Sequence, residues 1–271
     1  WSGVRIPLRP PFFVYLVRSP SLNSKNVNDF YEAAVNAGFF TKVNRLKFYF
    51  ENQLFKNIDF FDKSFIDIGG GDGLMGLYAS VCGASKVIVL EPDLDGSSSE
   101  EKRSKFDALN KSLYPERKIE YLELTLEQYI LEHQNETFDY ILMHNSINHI
   151  DESACQTLHN CNQSIESYEN YFKELVSISK NGTKLIVSDC SRYNFFALVG
   201  LVNPFMKTIE WAKHQHPKIW CSLLEKSGFK FCYLSWSSPN ALGHFGHLFF
   251  RHWIFNYFLF SHFRLEMEFE L

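Results

Sequence analysis

The nine residues Phe65-Ile66-Asp67-Ile68-Gly69-Gly70-Gly71-Asp72-Gly73 constrain this chain more than any others. A short apolar run ends in a glycine cluster, and a helix-like segment follows with Leu74, Leu77, Tyr78 and Val81 on one face. Glycines at such a strand-to-helix turn let the backbone approach a ligand closely and aim the first helical N–H groups at it. Lys86 to Leu90 (KVIVL) reads as a buried strand, and Glu91-Pro92 follows it, about twenty residues beyond the glycines. A carboxylate there can accept both hydroxyl hydrogens of a ribose.

Two ligand classes compete for this turn. Gly71-Asp72-Gly73-Leu74-Met75-Gly76 matches the dinucleotide pattern G-x-G-x-x-G, which keeps an NAD(P)-dependent oxidoreductase as an alternative. The acids argue the other way. Asp67 precedes the glycines by two and Asp72 sits among them, so a pyrophosphate would meet two like charges. They suit a nucleoside that carries an ammonium and a sulfonium, and S-adenosyl-L-methionine is such a cofactor.

Strand and helix signals alternate along the rest of the chain. Lys118 to Leu122, Phe138 to Met143 and Lys184 to Ser188 read as strands; 101–113, Leu126 to Glu132 and 165–179 read as helices, the last stopped by Asn181-Gly182. Pro217 marks a helix start and Gly228 its end. Phe229 to Trp236 and His262 to Phe269 form a final antiparallel pair. The apolar strands predict a mostly parallel, doubly wound α/β sheet of seven strands, Rossmann-like, with helices on both faces. Residues 1–60 are expected to be an irregular arm (1–25) and a helical cap (Asp29 to Asn36, Val43 to Leu54), and 61–271 the cofactor-binding domain. A polar loop is expected at 93–100.

Composition narrows the function classes. The formal charge is −4, so no global basic field favours nucleic acid. Six scattered cysteines show no CxxC pair and no zinc spacing, which predicts free thiols, no metal and a cytoplasmic protein. The apolar run 11–17 is too short to span a bilayer and lacks a cleavage pattern, so neither a signal peptide nor a transmembrane segment is expected.

Several segments together resemble the class I S-adenosylmethionine-dependent methyltransferases. FIDIGGGDG is similar to that family's first motif, VIVLEP to its second-strand motif and FDYILMHNSINHIDE to its fourth-strand motif; NGTKLIVSD and WCSLLEKSGFKF resemble its later units. The resemblance covers roughly residues 60–270. It implies that Asp67, Gly69, Gly70, Gly71, Asp72 and Gly73 surround the methionine portion of the cofactor. It implies that Glu91 and Pro92 take the ribose and that Asn145 and Ser146 lie beside the transferable methyl. Thr125 and Leu126 stand where the family often places an acid for the adenine amino group, which leaves adenine to backbone or to Glu127.

Methyl transfer from a sulfonium is an in-line displacement, helped by alignment and, for a hydroxyl acceptor, by a base. Candidate bases sit at the carboxyl ends of strands: His149 first, and Asp189 at the end of the fifth strand. His144, Glu210, Trp211 and His214 are expected to shape the acceptor pocket, with His216 beside them. The segments 191–217 and 237–261 are long for connections and predict lids or a small auxiliary core. The expected activity is methylation of a small-molecule or glycan-like acceptor at oxygen or nitrogen. A non-catalytic S-adenosylmethionine-binding protein is the remaining alternative.

Overall fold

In a strand, successive side chains point to opposite faces, so a run such as FIDI or KVIVL stays buried only if both faces are covered. The computed structural model, which describes residues 24–92, 99–113 and 119–271, shows that arrangement. β1 (Ser64–Ile68), β2 (Lys86–Leu90), β3 (Ile119–Leu122), β4 (Phe138–His144), β5 (Ser179–Cys190), β6 (Phe229–Trp236) and β7 (His262–Phe269) form one sheet in the order β3-β2-β1-β4-β5-β7-β6. β7 is antiparallel to both its neighbours, β5 and β6; the pairings among β1 to β5 are parallel. Strand order reverses between β1 and β4, and ligand crevices open at the carboxyl edge of such a switch point.

Each face has its own core. Ile66, Ile88, Ile141 and Met143 pack with α5 (Leu126–Glu132), α7 (Asn162–Ser177) and α9 (Pro217–Lys226), where Trp220 is fully buried. Phe65, Val87, Val89 and Leu142 pack with α1 (Ser24–Asn36), α2 (Val43–Phe48), α3 (Leu74–Val81) and α4 (Ser99–Leu113). A cluster of aromatic rings fills this second face. Phe50 lies edge-on to Tyr78 with ring centroids 4.7 Å apart, and Phe30, Tyr31, Phe55 and Phe60 close around them. Such pairs add to the area they bury and lock the helical cap to α3.

Two local expectations need correction. The Val43 to Leu54 helix changes at Tyr49 into a π-helical turn, Tyr49–Leu54. Asn181-Gly182 does not stop a helix. α7 ends at Ser177, and the pair lies inside β5, where pairing slips from Phe138–Ser179 to Tyr140–Lys184. Gly182 takes φ +85° there, and Thr183 Oγ1 donates to Phe138 O at 2.5 Å, so Asn-Gly serves a β-bulge. Pro217 and Gly228 bound α9 as the sequence suggests, Gly228 at φ +101°. The expected arm falls mostly on residues outside those described, as does most of the loop at 93–100.

The long connections fold on the carboxyl edge. The segment after β5 carries α8 (Phe195–Leu198), and the one between β6 and β7 carries α10 (Gly243–Phe250) and α11 (Trp253–Phe258). They join each other: Ser191 N donates to Ser261 O at 2.7 Å, and Phe195 packs on Phe258 at 5.0 Å.

Candidate cofactor and acceptor site

The glycine turn is built for close approach. Gly69 and Gly73 both have φ near +70°, and each is walled in. A Cβ on Gly69 would stand 2.5 Å from Ser146 Cβ, and one on Gly73 2.5 Å from Phe106 Cδ2. A Cβ on Gly70, a residue with ordinary φ, would meet Val89 at 2.5 Å and Asp67 Oδ2 at 2.9 Å. Gly71, at φ +56°, has open space on that side. The amides of Gly69 and Gly70 both donate to Leu90 O, which ties the turn to the end of β2.

Asp67 and Glu91 flank this turn with different partners. Glu91 Oε2 accepts from Gly71 N at 2.8 Å and Oε1 from Lys102 Nζ at 2.5 Å. Asp67 is fully buried, and neither carboxyl oxygen has a hydrogen-bond partner. Burial, with the Glu91 charge adding to it, pushes its pKa up to about 8. A buried carboxyl left without donors is costly, so Asp67 stands ready for a ligand that brings them. Tyr121 braces the turn, its hydroxyl donating to Gly71 O at 2.7 Å.

Opposite the turn, Ser146 Oγ donates to Ile68 O at 2.6 Å, and Asn145 N donates to Ser188 O at 2.7 Å. Asn145 has φ +52°, a conformation that side-chain-bearing residues seldom hold and that recurs at functional sites. Thr125 N-caps α5 in a capping box with Gln128, and Leu126 is buried beneath it. Pro92 follows Glu91, two residues beyond the end of β2.

Where β4, β5 and β7 meet, the structure gathers more histidine than the sequence announces. His144 Nε2 lies 2.6 Å from the Tyr49 hydroxyl, which anchors the cap to the end of β4. His262, opposite Cys190 in register, donates from Nε2 to Asn145 Oδ1 at 3.2 Å, while Ser237 Oγ lies 2.9 Å from its Nδ1. Burial holds both imidazoles down to about 4, His262 with help from the neighbouring His144, so both are neutral at pH 7. Asp189 is fully buried and bonds His214 Nδ1 at 3.0 Å. Its Oδ1 also accepts from Cys190 N, and its Oδ2 has no partner. His214 is itself buried.

His149 stands apart from this cluster. It follows β4 in a 3-10 turn, its side chain is 58% exposed, and Nδ1 pairs with Glu152 at 2.7 Å. Lys213 links Glu152 to Glu210, so His149 and Glu210 share one surface chain of charges beside Trp211. His216 caps α9 and is held down to about 4 by burial. Sequence reasoning missed Tyr49 and His262. The only signal for either was His262 at the first position of the last strand. Among the described residues, no group of three or more His, Cys, Asp or Glu is placed to hold a metal ion.

No protein-family model matches the sequence, and no curated protein matches it. Solved structures do. The chain is similar to an S-adenosylmethionine-dependent methyltransferase from Mesorhizobium loti, at 14% identity and TM-score 0.51 over 78% of this chain and 92% of that one. It is similar to a Listeria monocytogenes protein described in the same class, at 15% identity and TM-score 0.52 over 79% and 93%. It is also similar to magnesium protoporphyrin IX methyltransferase from Synechocystis PCC 6803, solved with bound S-adenosylhomocysteine, at 12% identity and TM-score 0.50 over 93% and 89%. The fold is that of the S-adenosylmethionine-dependent methyltransferases. The residues present fit that methyltransferase cofactor: an orphaned, buried carboxyl at Asp67 can receive an ammonium, and the turn beside it admits no side chain at Gly69, Gly70 or Gly73. No helix among the described residues is long and apolar enough to cross a membrane.

Proposed function

We propose that this chain is an S-adenosylmethionine-dependent methyltransferase acting at oxygen or nitrogen of a small-molecule or glycan-like acceptor. The observation that carries it is Asp67, buried without a donor and next to the Glu91 charge. A cationic ligand brings the missing donors and favours the ionised carboxyl, whereas a pyrophosphate brings no donor and would meet the Glu91 charge. When bound, the cofactor supplies an electrophilic methyl on a sulfonium.

The chain's own residues have separable tasks in this proposal. Asp67, with Asp72 and the backbone of Gly69 to Gly73, takes the methionine portion, Glu91 the ribose, and the Thr125-Leu126 corner the adenine. Asn145 and Ser146 border the transfer point. Asp189 acts as a positioning residue: it holds His214 Nδ1 and leaves Nε2 free to take the acceptor's proton, since a base works best when a partner fixes its tautomer. His144 and Tyr49 orient the acceptor. His149, paired with Glu152 at the exposed rim beside Glu210 and Trp211, anchors the outer part of the acceptor.

The test is incubation with isotopically labelled methyl donor and fractionated acceptor pools, read by mass spectrometry. The proposal expects a labelled product from the natural chain, and much less of it from Asp67→Asn at the same donor concentration. Retained donor binding with no labelled product in any pool would instead favour a binding protein without catalysis.

A further inference from the structure

The two connections that fold together on the carboxyl edge leave a broad apolar surface uncovered by any described residue. Leu248 is 78% exposed, Leu198 77%, Val202 73% and Phe245 65%, with Phe249 and Trp253 about half exposed, and ring contacts of Phe245 with Phe249, Phe250 with Phe255 and Phe195 with Phe258 link the segments that carry them. Exposed apolar residues in such continuity mark an interaction surface in a folded chain. The two segments are physically one body, since Phe195 packs on Phe258 and Asn203 Nδ2 donates to Leu259 O at 2.6 Å.

Charge identifies what covers it. The chain has 31 Asp and Glu residues and a net charge of −4, yet neither 190–209 nor 237–263 contains one. Next to them lies a cleft of about 440 Å³ lined by Lys42, Arg45, Lys47 and His244. Its one carboxylate, Glu51, is already paired with Lys47 and accepts from the Tyr31 hydroxyl. α10 joins the two features: His244 and His247 pack edge-on against Phe48 of α2, while Phe245 and Leu248 stand exposed.

We infer that this face docks on an anionic lipid surface. Aromatic and aliphatic side chains would enter the headgroup boundary, and the α2 cations would meet the negative charge above it. The Trp253 ring suits the interfacial layer. A second copy related by two-fold symmetry would set a carboxylate-free, basic-edged surface against itself and leave the cations without counter-charge. The inference does not depend on the proposed methyl transfer.

Flotation of the full chain with vesicles tests it, using phosphatidylcholine alone and phosphatidylcholine with phosphatidylserine in equal parts. The natural chain is expected to float with the anionic vesicles and at least tenfold less with the neutral ones. Phe245→Glu with Leu248→Glu and Trp253→Glu is expected to abolish flotation at an unchanged melting temperature, since all three side chains are exposed. Lys42→Ala with Arg45→Ala is expected to weaken flotation several-fold and to remove its preference for anionic vesicles. A chain that stays at the bottom of the gradient overturns the inference. Light scattering then says whether a second copy covers the face.

Discussion

Oδ1 of Asp189 lies 3.0 Å from Nδ1 of His214, and both side chains are buried where β5 ends. The two residues are 25 positions apart, and only the fold pairs them. If the pair sets the base, His214→Gln lowers kcat on the order of 100-fold or more, the usual share of a positioned base. Asp189→Asn lowers kcat and alters the pH–rate profile, with donor affinity unchanged. His149→Ala lowers kcat/KM to a smaller degree, and unchanged kinetics would remove His149 from the acceptor site.

Asp67 gives cofactor binding a pH dependence of known sign. Its pKa of about 8 keeps the carboxyl mostly protonated in the free protein at neutral pH. A bound cation favours the ionised form, so binding releases a proton and affinity rises as pH approaches about 8, then falls as the ligand's own ammonium deprotonates. Dissociation constants measured by calorimetry from about pH 6 to about pH 9 should pass through a minimum. Asp67→Asn should bind more weakly and lack the rise on the acid side.

His144 and His262 make the fold sensitive to acid. Each is held down to about 4 in the native state against an ordinary value of 6.5. Between those values the unfolded chain binds protons that the native one refuses, so stability is intact above 6.5 and falls as pH drops toward 4. Urea midpoints at about pH 7 and about pH 5 measure the loss. His144→Gln combined with His262→Gln should reduce the difference between the two midpoints.

The glycine turn separates space from conformation. Gly69→Ala adds a methyl 2.5 Å from Ser146 Cβ to a backbone at φ +70°, while Gly71→Ala meets only the backbone penalty at φ +56°. The first should cost roughly 2–4 kcal/mol and the second about 1 kcal/mol. Thermal melting should therefore fall at least twice as far for Gly69→Ala.

Much of the sheet was legible because its signals are local. FIDIGGGDG and KVIVL specify strand, turn and helix within a few residues, and Pro217 and Gly228 do the same for α9. Asn181-Gly182 misled because the same dipeptide ends helices and makes bulges, and only the partner strand decides between them. The cofactor half of the site follows from that local chemistry. The proposed acceptor half brings together Tyr49, His144, Asp189, His214 and His262 from distant stretches, and no spacing rule joins them. The role of Thr125 was open in the sequence; its capping box with Gln128 shows where its hydroxyl is used.

The central claim is that the acid-flanked turn accepts a cationic nucleoside and rejects a diphosphate. Isothermal calorimetry on the purified, ligand-stripped chain tests it most directly, with S-adenosylmethionine, S-adenosylhomocysteine and NAD titrated in parallel. Saturable heat near one equivalent for the first two, and none for NAD, is the predicted result. Silence with both S-adenosyl compounds, or saturable heat with NAD, would contradict it.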